Sequence, residues 1–175
     1  MLSKSFSTRS GVPQGRHLGS ILFIFYMNDL PSVFKFSECK IYADDVKIYR
    51  TIASSNDSSL LQSDLNAFYE WCFNNSMFLN IDKCRIMNFT RLNHEFTFSY
   101  QLNGNILNNT DSALDLGVYL DRKLTFKCHI DYVISRVNSI LGFIYRESRE
   151  LTDPYCIRSL FFALVRSILK YACIL

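Results

Sequence analysis

Two adjacent aspartates, Asp44 and Asp45, have the clearest capacity for chemistry in this 175-residue sequence. The residues on either side, 39–42 and 46–49, are apolar or alternate with polar residues as β-strands do, and they contain few turn formers. This pattern predicts a β-hairpin over residues 38–50 with both carboxylates at its tip. Because adjacent carboxylates repel each other, a fold that holds them together generally needs a cation. Hard oxygen ligands suit Mg²⁺ or Mn²⁺, which can bridge phosphate groups, so the aspartates are candidate metal ligands. The alternative interpretation is an ordinary β-turn with aspartates at its tip and no metal.

Other short motifs accompany the aspartates in a fixed order. The segment Gly11-Val12-Pro13-Gln14-Gly15 precedes them, and the segments Leu79–Cys84 and Leu116-Gly117-Val118 follow them. Together with Tyr42-Ala43-Asp44-Asp45, this succession resembles the reverse transcriptases of non-LTR retrotransposons, the LINE-type and jockey-like elements. The resemblance covers nearly the whole chain.

The resemblance implies an RNA-directed DNA polymerase, which adds deoxynucleotides to a DNA 3′-end on an RNA template. It implies two Mg²⁺ (or Mn²⁺) ions as cofactors, and an RNA template, a DNA primer and a deoxynucleoside triphosphate as partners. Asp44 is then expected to be a metal ligand, Asp45 a supporting carboxylate of the same metal site, and Tyr42 a neighbour of the primer end. Protein partners are not indicated by the sequence.

Four further residues take expected roles from the same resemblance. Gln14 corresponds to a residue beside the incoming nucleotide and template, and Gly15 lets the backbone approach the nucleic acid closely. Lys83 corresponds to a lysine that protonates the departing pyrophosphate, which is a general-acid role. Gly117 lies in the segment that matches the primer-grip hairpin. The alternatives are a glycine-shaped bend around Gln14, a surface lysine at position 83, and an ordinary strand glycine at position 117.

Two features of the sequence depart from the family pattern. No acidic residue precedes Asp29, whereas the family carries a second metal-binding aspartate on a strand before its Gly-Val-Pro-Gln-Gly motif. Arg16 stands where the family usually has a small residue. We therefore expect weak Mg²⁺ binding at Asp44 and Asp45, and no primer extension by residues 1–175 alone. The alternative function is a non-catalytic transposon relic or a passive nucleic-acid-binding scaffold.

The periodicity of the chain predicts an α+β fold with two parts. Residues 1–121 are expected to form part of a polymerase palm, a small antiparallel sheet with helices packed on it, and residues 122–175 a helical, thumb-like segment. A buried helix is expected over about 18–30. An amphipathic helix is expected to begin in the polar segment 54–58 and to end at Asn74-Asn75-Ser76, and two more helices are expected over 130–144 and beyond Asp153-Pro154. Further strands are expected over 86–90, on both sides of Asn103-Gly104, and over 114–120.

The composition of the chain limits which general classes of protein it can belong to. Hydrophobic residues make up 49% of the chain, which fits a globular protein, and no apolar run is long enough to span a bilayer. With no signal peptide visible, an intracellular protein (nucleus or cytoplasm) without a membrane partner is expected. The six cysteines lack metal-ligand spacing, so we expect them to be reduced and mostly buried. The net charge of +3 is compatible with nucleic-acid binding or with ordinary solvated faces.

Overall fold

The computed structural model describes residues 17–90, 98–150, 153–171 and 173. In this part of the chain the helices are α1 His17–Tyr26, α2 Ser55–Asn74, α3 Lys127–Glu147, α4 Pro154–Leu160 and α5 Ser167–Lys170, with a π-helical segment Phe161–Arg166 between the last two. Short 3₁₀ turns lie at Leu30–Val33, Ile81–Lys83 and Ser148–Glu150. The strands are β1 Glu38–Tyr42, β2 Asp45–Tyr49, β3 Arg85–Ile86, β4 Gln101–Leu102, β5 Asn105–Ile106, β6 Asn108–Asn109, β7 Ser112–Asp115 and β8 Val118–Asp121. This mixture of helices and small sheets confirms the α+β class.

The chain divides into two compact units. The first unit takes residues 1–84 and 96–107, and the second takes residues 85–95 and 108–175. The predicted division into a palm and a thumb near residue 121 concerns function, and it stays a prediction.

Helix α2 organises the core of the first unit. Ser54 and Asp57 start it with a reciprocal capping box, in which the backbone N–H of Ser54 donates to Asp57 Oδ2 (2.9 Å) and the backbone N–H of Asp57 to Ser54 Oγ. The apolar stripe then buries Phe68 and Trp71 against Leu30. Burying a side chain of this size contributes about 1.5–3 kcal/mol, so the stripe fixes the helix in place. Trp71 is therefore a core residue, 8% exposed.

Helix α1 differs from its prediction in both length and burial. It ends at Tyr26, and Leu18, Ile24 and Phe25 are 66–73% exposed. Only the side of the helix that carries Phe23 contacts the core. A helix that is apolar on all faces needs neighbours on all faces to be buried, and one core covers one face. The expectation of a buried helix is therefore wrong for this structure.

Among the described residues, the predicted single antiparallel sheet is replaced by four separate two-stranded ladders. Strands β1–β2, β4–β5 and β7–β8 are antiparallel hairpins, whereas β3 and β6 pair in parallel. Each hairpin closes through two residues, and both residues have positive φ at Asn103-Gly104 (48° and 75°) and at Leu116-Gly117 (45° and 81°). Such turns match the twist of the flanking strands. The Asn103-Gly104 hairpin is confirmed, but the expected strand over 114–120 folds back at Leu116, and the one over 86–90 is limited to Arg85–Ile86.

In the second unit, α3 packs against the π-helical segment. Val137 and Ile144 of α3 are buried with Val165, in a cluster that also includes Ile168. Asp153 caps α4 by accepting a hydrogen bond from the backbone N–H of Tyr155 (2.9 Å), as the Asp-Pro pattern predicts.

The turn between β8 and α3 is held by one carboxylate. Asp121 accepts hydrogen bonds from the backbone N–H groups of Lys123 and Thr125 (3.1 Å each) and of Phe126 (2.7 Å). These hydrogen bonds, with that of Thr125 first, lower the pKa of Asp121. They also offset the unfavourable positive φ of Leu124 and Phe126 (53° and 56°).

Two expectations from composition meet different outcomes. No helix in the described ranges is both long and apolar enough to cross a membrane. None of the six cysteines, all of them described, forms a disulfide, but Cys128, Cys156 and Cys173 are exposed and only Cys72 is fully buried. The expectation that most of them are buried is wrong, because three lie on or beyond the exposed faces of the second unit's helices.

Candidate active-site hairpin

The two aspartates lie at the end of a regular antiparallel hairpin, which we call the aspartate hairpin (β1 and β2). Tyr42 pairs with Asp45 as the last cross-strand pair, and Ala43 and Asp44 form the connecting turn. Tyr42, Asp44 and Asp45 are all exposed. The predicted position of both carboxylates at a solvent-accessible turn is therefore confirmed, whereas the roles assigned to them stay predictions.

The turn holds Asp44 through an unusual backbone conformation. Ala43 has φ 51°, in the left-handed region. A residue with a Cβ atom loses about 1–2 kcal/mol there, and such strain persists only where the surrounding structure imposes it. Here the five paired residues of each strand fix the register and so fix the turn.

The hairpin has two different faces. Ile41, Val46 and Ile48 pack on the core of the first unit. The opposite face carries Lys40, which pairs with Lys47, between the Tyr42–Asp45 pair and the hairpin base. Because alternate residues of a strand point to opposite sides, the packed face sets the direction in which this charged face points.

A buried carboxylate on α2 fixes the entry to the hairpin. Asp64 is 2% exposed, and its two oxygens accept hydrogen bonds from the backbone N–H groups of Lys35 (3.1 Å) and Phe36 (2.9 Å). Hydrogen bonds to a carboxylate are stronger than those between neutral groups. The segment that leads into β1 is thereby attached to the middle of α2.

An arginine fixes the exit from the hairpin. The guanidinium of Arg50, directly after β2, donates through Nη1 to the backbone carbonyl of Phe36 and through Nη2 to Asp57 Oδ1 (2.7 Å). The hydrogen bond from Arg50 is the main cause that lowers the pKa of Asp57 from 3.8 to about 2, and hydrogen bonds from Ser54 and Ala53 add to it. Both ends of the hairpin are therefore bound to the same helix.

A third contact joins the strands at the hairpin base. Tyr49 donates its hydroxyl hydrogen to Glu38 Oε2 (2.9 Å) across the first pair of the ladder. This hydrogen bond is the first cause of a raised pKa of Tyr49.

The carboxylate oxygens at the hairpin tip are of the ligand type that divalent metal ions bind. Mg²⁺ and Mn²⁺ prefer oxygen ligands, and Asp44 and Asp45 offer two exposed carboxylates side by side. Among the described residues, no group of three or more His, Cys, Asp or Glu side chains could hold a metal ion. The aspartate hairpin can thus supply part of a ligand set.

The other predicted site residues fall in three places. Lys83 is exposed at the end of the 3₁₀ turn Ile81–Lys83, in the same unit as the hairpin. Gly117 belongs to the second unit. Its φ of 81° and its position between β7 and β8 make it a turn glycine rather than a strand glycine, and the Tyr171 ring lies beside it. Gln14 and Gly15 lie outside the described residues.

Sequence reasoning missed the three charged residues that hold the hairpin: Arg50, Asp57 and Asp64. Asp57 had a usable signal, since it follows Ser54 by three residues at the start of a helix, as in a capping box. Asp64 had none, because an aspartate in an amphipathic helix usually faces solvent.

Comparisons with known proteins identify the family to which the chain belongs. The family of reverse transcriptases (RNA-dependent DNA polymerases) matches residues 2–132. The chain therefore belongs to this family, and its resemblance to the non-LTR, LINE-type members is confirmed.

The relatives are polymerases of mobile elements. The RNA-directed DNA polymerase from mobile element jockey of Drosophila funebris is 33% identical over 129 residues, which cover 69% of this chain and 14% of that protein. The jockey polymerase of Drosophila melanogaster is 32% identical over 131 residues, with the same coverage. The probable RNA-directed DNA polymerase from transposon X-element of Drosophila melanogaster is 29% identical over 143 residues, which cover 79% of this chain and 16% of that protein. No solved structure matches the chain.

Proposed function

We propose that this chain contributes the metal-binding hairpin to an RNA-directed DNA polymerase of a non-LTR retrotransposon. The observation that carries the proposal is the exposed Asp44-Asp45 pair, held at a hairpin tip by contacts at both ends of the hairpin, in a chain of the reverse transcriptase family. The chain spans about 14% of the length of the jockey polymerases that it matches. The polymerase activity, and the RNA template, DNA primer and nucleotide that it requires, are proposed for the complete enzyme.

Asp44 and Asp45 would hold the Mg²⁺ ions, which in the complete enzyme neutralise charge on the attacking and leaving oxygens of nucleotidyl transfer. The remaining roles are assigned to this chain's own groups. Lys83 would donate a proton to the leaving group, Tyr42 would lie near the primer end, and Gly117 would approach the primer. Gln14 and Gly15 would lie beside the template and incoming nucleotide.

Positioning is the main contribution that we assign to the hairpin. Well-oriented reacting groups have effective molarities of about 10⁵–10⁸ M, so small displacements of a metal ligand lower the rate strongly. The contacts of Asp64 and Arg50 reduce the freedom of the strands that carry Asp44 and Asp45. We therefore regard Asp64 and Arg50 as positioning residues.

The proposal is tested by grafting. A chimera in which residues 1–175 replace the matching part of the jockey polymerase should extend a DNA primer on an RNA template. Asp44→Ala should abolish extension, whereas Asp131→Ala, which removes an exposed aspartate of α3, should leave it within about twofold. Extension that survives Asp44→Ala would overturn the assignment of the metal site.

The isolated polypeptide 1–175 provides a second test. Two carboxylates from one hairpin leave most of the octahedral positions of Mg²⁺ to water, so binding should be weak. Calorimetry should detect no tight, stoichiometric Mg²⁺ binding, and the polypeptide alone should not extend a primed RNA template. Tight binding that is lost in Asp44→Ala would show that the hairpin suffices.

A passive nucleic-acid-binding role is the second candidate. It is favoured by the exposed cations of the second unit, Arg136, Arg146, Arg166 and Lys170. This role predicts that 1–175 binds a primer–template duplex with an affinity that falls steeply as salt rises. Such binding, together with a chimera that never extends a primer, would support this role over catalysis.

A further inference from the structure

A pocket of about 380 Å³ lies within the second unit, and its lining includes Gly117 of the predicted primer-grip turn. One wall is a face of α3 that carries His129, Tyr132 and Arg136. These residues are three and four positions apart, so they stand above one another on the helix. The rest of the lining comes from Ser167 and Ile168 of α5, from Tyr171, and from Leu114 and Gly117 of the β7–β8 hairpin.

The lining combines flat apolar surface with a single cation. Aromatic rings of Tyr132 and Tyr171 face the pocket together with aliphatic side chains of β7, α3 and α5. Arg136 brings the positive charge, and no acidic residue is among the described residues that line the pocket. A planar ring that carries a negative group matches this surface, because rings stack on tyrosines and a guanidinium binds anions in pairs of hydrogen bonds.

A hydrogen bond holds the ring of His129, because its Nδ1 accepts from the backbone N–H of Tyr119 (3.5 Å). The Tyr132 ring is also held, since it packs edge-on against Tyr119 with centroids 5.2 Å apart. Two of the three α3 residues in the wall are therefore oriented before any ligand arrives.

Tyr171 joins the pocket to the predicted primer-grip turn. Its hydroxyl donates to the backbone carbonyl of Leu116, and its ring lies where a Cβ atom on Gly117 would be 3.3 Å away. Gly117 and Tyr171 both line the pocket, so a ligand bound there would lie near the Leu116-Gly117 turn.

We propose that this pocket binds one nucleotide, with its base against Tyr132 and Tyr171 and its phosphate at Arg136. The choice of a nucleotide among planar anions rests on the proposed polymerase function. The volume lies at the lower end of the range for small-molecule sites, so it suits one nucleotide rather than two. The source is either a free nucleotide or an unpaired nucleotide of a bound strand.

Calorimetry on the full chain 1–175 in the presence of EDTA tests this proposal, because EDTA removes any metal-dependent binding at Asp44 and Asp45. AMP probes the free nucleotide, and a five-residue oligo(dA) probes the strand. Tyr132→Leu and Arg136→Gln should each weaken binding about tenfold, since loss of stacking or of a charged hydrogen bond has this effect. Tyr145→Leu and Lys127→Gln, exposed on the same helix and outside the pocket lining, are the matched controls and should change binding less than twofold.

Binding of either probe with this pattern supports the proposal, and the probe that binds identifies the source. Absence of binding by both probes at millimolar concentration, or equal effects of pocket and control variants, would overturn it. Adenosine that binds as tightly as AMP would also overturn it, because Arg136 would then have no phosphate partner. The extension assay of the chimera depends on Asp44 and this assay does not, so each proposal can fail without the other.

Discussion

Replacing Asp64 by alanine should lower the free energy of unfolding and loosen the aspartate hairpin, although Asp64 lies on α2 and not in the hairpin. The substitution removes both acceptors of the Lys35 and Phe36 backbone N–H groups. A buried donor left without a partner costs about 1–3 kcal/mol. Because Phe36 is 44% exposed, water can reach part of this segment, and we use the lower half of that range for each donor. The expected loss in the free energy of unfolding is about 2–4 kcal/mol.

Asp64→Asn removes the negative charge and one of the two acceptor oxygens, and it keeps the size of the side chain. The amide keeps one oxygen as an acceptor but directs its NH₂ group towards a backbone N–H, so about half of the loss is expected. Urea unfolding measures both variants, and amide hydrogen exchange at Lys35, Phe36 and β1 reports the local effect. Asp131→Asn, on an exposed face of α3, should change stability by less than about 0.5 kcal/mol. An unfolding midpoint of Asp64→Ala equal to that of the unmodified chain, with unchanged exchange in β1, would refute the reasoning.

Three further outcomes follow from the turns and from the capping box. Ala43→Gly should raise the free energy of unfolding by about 0.5–1 kcal/mol in urea titrations, because glycine removes the penalty of φ 51°, and a loss of stability would contradict this. Gly117→Ala should lower thermal stability more than Gly104→Ala does; both have positive φ, but only at position 117 would the new Cβ contact Tyr171 at 3.3 Å. Equal losses at the two positions would show that the Tyr171 contact is unimportant. Asp57 has a pKa lowered to about 2 by Arg50, so its contribution is complete above about pH 4 and disappears as pH falls towards 2. The gap in urea midpoint between the unmodified chain and Asp57→Asn should therefore close between pH 4 and pH 2, and a constant gap would be the contrary result.

Local patterns explain which parts of the fold the sequence predicts. The aspartate hairpin, α2, α3 and the start of α4 each depend on a periodicity or a cap within a few residues, and all four are found. Burial of α1 was predicted from its composition, but composition does not say what covers a helix. The segment 114–120 alternates as a single strand would, yet it forms parts of two paired strands with a turn at Leu116-Gly117, because pairing partners decide how far a strand continues.

In the candidate site, too, the sequence predicts local features but not the contacts between distant residues. The exposed turn at Asp44 follows from residues next to it in sequence. The contacts that hold the hairpin join residues far apart, such as Asp64 and Phe36, through side-chain to backbone hydrogen bonds. No periodic pattern encodes such a contact, because it depends on where two elements meet after folding. The roles of Lys83, Gln14, Gly15 and Gly117 depend on bound nucleic acid, and they stay predictions.

The hydrogen bond between Arg50 and the carbonyl of Phe36 brings the two ends of the segment 36–50 together. A segment whose ends already touch can be cut out and inserted into another scaffold without forcing the scaffold to bridge a gap. The Arg50 side chain carries its own connection to the host helix through an acidic residue at the third helical position. A designer could therefore transfer residues 36–50 onto a helix that starts with a Ser-x-x-Asp cap, provided that the host also supplies an aspartate at the position of Asp64 and an apolar surface under Ile41, Val46 and Ile48.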